Sequence, residues 1–194
     1  MSGAGAAGAG PSQPPDAAIM EGDVTSAETY GDDPPWTAPA LKWVTLLLPA
    51  AAFSTMVLGA FVKAVYGGMA CPEWPTCEGG NFFVEFRNEQ VASEILHRAA
   101  ALLVSAAGVV LLYLVLTRYA HAKQLRLLTF AAAATLAVQI GLGAQTIFSA
   151  LDPYVVTAHL AVATLFFGLT LLIAVEARKV LAAPAPHGPG GAPA

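Results

Sequence analysis

Five side chains hold most of the chemical potential of the 194-residue chain: Cys71, Cys77, Glu94, His97 and His159. Imidazole is the commonest protein ligand for transition metals, and it also exchanges protons near neutral pH. His97 and His159 sit among apolar residues, where either role is open to them. His121 lies among bases and His187 in a Pro-Gly run, and both read as solvated. Glu94 stands three residues before His97, so on a helix the two project from one face. A carboxylate there can orient a ligand, take a proton or stabilise developing positive charge. It can equally be an acid at a helix start or an ion-pair partner of Arg98. Cys71 and Cys77 enclose a short segment with two prolines, and a disulfide between them is expected outside a membrane. Such a bond can staple a loop, shape a lid or exchange electrons. Two cysteines are too few for a disulfide-dense scaffold, and too few for a zinc site without histidines nearby.

The elements that position these groups follow from composition. The chain is 56% apolar and 11% charged, with a mean hydropathy of +0.62, which describes a protein living mostly in lipid. Six of its thirteen acids precede Lys42, the first base, so the leading stretch carries −6. The remaining seven acids face nine bases, +2, scattered between apolar stretches, which excludes nucleic-acid binding. Residues 1–40, rich in Gly, Ala, Pro and acids, are expected to form a disordered cytoplasmic tail. They read neither as a mitochondrial presequence nor as a cleaved secretory signal. A second disordered tail is expected over 182–194.

Between the tails the charges mark out four uncharged stretches, each near the roughly 20 residues that cross about 30 Å of hydrocarbon as a helix. Transmembrane spans are expected at about 43–65, 94–117, 125–148 and 153–176, giving an all-α, integral-membrane four-helix domain over 41–181. Arg118, Lys123, Arg126, Arg178, Lys179 and Lys42 cluster at one side, which predicts both termini in the cytoplasm and an outer loop over 66–93. A multi-pass protein of a prokaryotic plasma membrane follows.

With this topology His97 and His159 fall in the same leaflet, roughly 5 to 9 Å inside spans that run in the same direction. Two imidazoles at matched depth can clamp one haem iron from both faces. The alternative is that each hydrogen-bonds across a helix interface. Ala100, Ala101, Val104, Ser105 and Gly108 continue the His97 face with small groups, and Ala163, Phe166 and Phe167 are expected as apolar surroundings of His159. The same small residues also suit ordinary helix packing. Gln139 and Gln145, with Gly141 and Gly143 between them, read as buried amides at a close helix contact, without a catalytic role.

These motifs together resemble a known family. Cys71-Pro72-Glu73-Trp74-Pro75-Thr76-Cys77 is similar to the outer-loop Cys-Pro-Asp-Trp-Pro-Leu-Cys of haem A synthases, and Glu94-Ile95-Leu96-His97-Arg98 to their Glu-x-x-His-Arg. Gln139 through Thr146 resembles their Gln-x-x-x-Gly-Ala-x-Thr, and Pro153 through Leu160 their Pro-x-x-x-x-x-His-Leu. The resemblance implies an enzyme that oxidises the C8 methyl of haem O to a formyl group by successive hydroxylations and loss of water, for terminal oxidase biogenesis. It implies His97 and His159 as axial haem ligands, Glu94 as the catalytic carboxylate, and Cys71 with Cys77 as a disulfide.

Usual members have eight helices in two related halves, one holding haem b and the other receiving haem O. This sequence resembles the first half, which suggests a compact form whose homodimer recreates both. Haem O synthase and cytochrome oxidase assembly factors are the implied partners, while the electron donor is open. Lys63 stands where the family usually has Arg, Tyr66-Gly67-Gly68-Met69 replaces a typical Thr-Gly-Ser-Gly, and the acidic tail has no counterpart. The competing expectation is a non-catalytic b-type haem protein for haem delivery or outer-leaflet electron relay. A cofactor-free assembly protein is a third.

Overall fold

The computed structural model of the chain describes residues 36–81 and 84–183. Of the tails expected over 1–40 and 182–194, residues 1–35 and 184–194 lie outside the described residues, whereas Thr37–Ala40 open the first helix and Ala182 closes the last, since their Ala and Pro residues suit helix ends. Four helices follow one another: α1 (Thr37–Ala64), α2 (Glu89–Thr117), α3 (Lys123–Phe148) and α4 (Pro153–Ala182). Apart from an isolated bridge between Glu78 and Asn81, no strand occurs among the described residues. Each helix is long and apolar enough to cross a membrane, and less than a quarter of each apolar window is buried within the bundle. The rest of that surface is suited to lipid, and the chain is a multi-pass, all-α membrane protein.

Local chemistry explains where the helices start. Pro39 sits in the first turn of α1, where its missing N–H has no intrahelical partner to lose. The Asn88 side chain accepts from Val91 N–H at 2.9 Å, which starts α2 five residues ahead of the expected span. Asp152 Oδ1 accepts from the N–H groups of Tyr154 and Val155, and Pro153 fills the first helical position of α4. Before that cap, Ala150 and Leu151 both adopt positive φ, at 50° and 65°, to turn the chain out of α3.

The helices form a ring in which α1 packs on α2 and α4, and α3 on the same two, leaving α2 and α4 diagonal to each other. One end carries the α1–α2 loop and the α3–α4 turn; this is the loop end. The main apolar core occupies the opposite half, built from Leu41, Leu48, Val104, Leu111, Leu125 and Ile173 among others. A smaller cluster of Cys71, Cys77, Val91 and Ile95 docks the loop on the first turns of α2. His97 and His159 lie between these two clusters.

Candidate functional site

His97 and His159 come from α2 and α4, the two diagonal helices of the ring. His97 follows the start of α2 by eight residues and His159 the start of α4 by six, about 12 Å and 9 Å along their axes. The extra turn that Asn88 adds to α2 makes His97 deeper from its helix start than the sequence suggests, yet the offset stays below one helical turn.

Each ring is held by a neighbouring helix. His97 Nδ1 is 3.1 Å from the Thr55 carbonyl oxygen on α1. A carbonyl only accepts, so Nδ1 carries the proton and donates, and the lone pair falls on Nε2. One turn further along α1, Gly59 lets the ring lie against the backbone: a Cβ there would be 3.0 Å from His97 Cε1. His159 is treated similarly by α3. A Cβ on Gly143 would be 3.3 Å from its Cε1, and Gln139 Nε2 lies 3.4 Å from its Nε2. His159 Nδ1 and Gln139 Oε1 are buried without hydrogen-bond partners among the described residues.

These features fit a metal group gripped by two imidazoles. His97 has the arrangement usual for a metal-bound histidine, one ring nitrogen donating to a carbonyl and the other presenting its lone pair. Gly59 and Gly143 keep an edge of each ring close to backbone. Unpaired polar atoms of His159 and Gln139 mark a place where a further group has hydrogen bonds to make.

Glu94 is buried and its Oε1 accepts from Arg98 Nε at 2.9 Å. The pairing with Arg98 is one of the alternatives open from the sequence. Cys71 and Cys77 are joined in a disulfide. In that loop the Glu73 carboxylate accepts from the N–H groups of Gly80 and Gly79 and from the Thr76 hydroxyl. Those bonds, the one from Gly80 foremost, hold its carboxyl below the usual carboxylate range.

Several surrounding residues differ from expectation. Phe166 and Val104 belong to the main core, and Phe167 packs on Phe53 with ring centroids 5.9 Å apart. Gly108 is a packing glycine whose Cβ would be 3.0 Å from Leu136 on α3. Gln145 is exposed, not buried, because α3 turns it away from its neighbours. Gln139, read as a helix contact alone, touches a candidate ligand. Thr55 and Gly59 were not singled out by sequence reasoning; the signal was their spacing of four residues on one face of α1.

The architecture defines a multi-pass, four-helix membrane bundle with a disulfide-closed loop at one end. Residues 23–171 match the model of the COX15-CtaA family, described as cytochrome oxidase assembly protein, and the chain belongs to that family. It is 27% identical over 131 residues to a haem A synthase of Macrococcus caseolyticus, covering 68% of this chain and 43% of the relative. It is 26% identical over 134 residues to a haem A synthase of Lysinibacillus sphaericus, covering 69% and 43%. The chain thus spans less than half the length of these curated relatives. No solved structure matches it.

Proposed function

We propose that the protein is a membrane oxidoreductase that converts haem O to haem A, oxidising the C8 methyl group to a formyl group for terminal oxidase biogenesis. The observation that carries this reading is the pair His97 and His159, on diagonal helices at neighbouring levels, with Glu94 one turn from His97 on the same face. The family membership and the names of the two relatives point the same way.

In this reading His97 and His159 would hold a haem iron, which when bound would supply the redox chemistry. The carbonyl of Thr55 fixes the His97 tautomer, which leaves the Nε2 lone pair as the one that would hold the group. Glu94 is the catalytic carboxylate: it would accept or return a proton at the reacting methyl, or stabilise positive charge on it. Haem b would be the resident cofactor and haem O the substrate, with a homodimer supplying the two bundles and the termini in the cytoplasm of a prokaryotic cell.

Co-expression with a haem O synthase, followed by extraction and identification of the pigments, tests the reading. Haem A is expected under air. Accumulated haem O with no haem A would overturn it.

A further inference from the structure

We propose that Arg98 is a positioning residue that makes the placement of Glu94 depend on closure of the disulfide loop. The inference rests on the reading of Glu94 as the working carboxylate. Arg98 Nε donates to Glu94 Oε1 at 2.9 Å. Its Nη1 donates to the carbonyl oxygens of Glu73 at 2.7 Å and Thr76 at 2.5 Å, and its Nη2 to that of Cys71 at 2.9 Å. Four of the five guanidinium N–H donors are thus committed, three of them to backbone of one short segment.

Three carbonyls converge on one side chain because the segment is closed on itself. The Cys71–Cys77 bond ends the ring, and the Glu73 side chain turns away to the Gly79 and Gly80 amides, which fixes the plane of its peptide. Both cysteines are buried against Val91 and Ile95, so the loop rests on α2 through an apolar contact as well as through Arg98. The guanidinium and carboxylate are themselves largely withdrawn from solvent, with 12% and 7% of their side chains exposed.

The consequence is a shared cation. With the loop seated, Arg98 is held from above and its Nε is directed at Glu94. With the loop loosened, three of its partners are lost, the guanidinium swings to water, and the carboxylate loses the donor that fixes it. Lysine cannot substitute, since one ammonium with three tetrahedral donors does not reach three carbonyls and a carboxylate together. Arg98 touches no reacting atom in this scheme and acts through Glu94.

The test uses the full-length protein in detergent, with two readouts that need no haem. One is hydrogen exchange of the 71–81 peptide by mass spectrometry. The other is covalent labelling of Glu94 by a lipid-soluble carbodiimide. R98K is expected to speed loop exchange roughly tenfold, equivalent to about 1.4 kcal/mol, and to raise Glu94 labelling. C71S/C77S is expected to raise Glu94 labelling although it leaves Arg98 in place, and to add nothing in the R98K background. Wild-type labelling of Glu94 in C71S/C77S would overturn the proposal, as would loop exchange in R98K at the wild-type rate. Should R98K not fold, the C71S/C77S labelling result decides alone. In membranes that make haem A, R98K would lower turnover roughly 10- to 100-fold, as for other residues that support a ligand or catalytic group, while keeping the haem spectrum. A chain that makes no haem A but shows the coupled labelling would refute the proposed function and leave the loop linkage standing.

Discussion

His97 donates its Nδ1 proton to the backbone carbonyl of Thr55, a residue 42 positions earlier on the adjacent helix. The acceptor is main chain, so no substitution at position 55 removes it directly. What α1 can change is the distance of approach, which Gly59 sets one turn away.

Gly59→Ala is therefore expected to disturb the site more than Gly143→Ala. The added methyl would lie 3.0 Å from His97 Cε1 in the first case and 3.3 Å from His159 Cε1 in the second. Both ask the imidazole to give by a few tenths of an ångström, the first by more and at a ring already tied to the Thr55 carbonyl. Haem titration of the two variants should show the larger loss of affinity in Gly59→Ala, within the roughly 10- to 100-fold typical of changes around a metal ligand. The reverse order would mean that the His97 edge has room that its neighbours conceal.

Gln139→Leu separates two roles of the amide. In the present arrangement it donates to His159 Nε2, the nitrogen a metal would take, so binding replaces the amide there. The variant should lose about 0.6 kcal/mol of stability in the haem-free protein, the mean for side-chain hydrogen bonds between membrane helices, and should bind haem at least as tightly as wild type. Thermal melts with and without haem measure both. Abolished haem binding would show that the amide contacts the bound group instead.

Glu94→Gln keeps an acceptor for Arg98 Nε but removes the charge. Stability should fall by about 1–3 kcal/mol, since a buried guanidinium loses its counter-charge while keeping its carbonyl partners. Haem A formation should drop to background while the haem absorption spectrum persists. Parallel pigment extraction and spectroscopy decide it; normal turnover in this variant would remove Glu94 from the mechanism.

Acid should loosen the loop through Glu73. Its carboxyl is held below the usual range by the N–H groups of Gly80 and Gly79, so the folded pKa lies under the unfolded one. The stabilisation is then fully present above the ordinary carboxylate pKa and is lost as pH falls through the lower, folded value. The amide resonances of Gly79 and Gly80 should titrate with a midpoint below that of an ordinary glutamate, and Glu73→Gln should abolish the titration. A midpoint at or above the ordinary value would mean the bonds do not favour the ionised form.

The four spans were legible because lipid leaves the backbone few choices and because charges punctuate the apolar runs. Asp152-Pro153 announced the start of α4 in the same direct way. Asn88 was harder to read: its cap is a single side chain, and the turn that it adds is polar enough to pass for loop. Within the site, His97, His159 and Glu94 stood out as polar groups in apolar surroundings. Thr55 did not, because its contribution is a carbonyl that every residue has. Gln139 reads from the sequence as a packing amide, since periodicity on one helix does not say which face of the next it meets. The three carbonyls that gather on Arg98 belong to a loop geometry that no spacing rule encodes.

The helices run to 28, 29, 26 and 30 residues, about 39 to 45 Å, against about 30 Å of hydrocarbon. Several residues at each end can therefore be exchanged between acyl chains and headgroups as bilayer thickness varies, by tilting or by sliding along the membrane normal. Because the histidines lie well inward from those ends, such adjustment changes what the termini meet while the polar centre stays within the nonpolar slab.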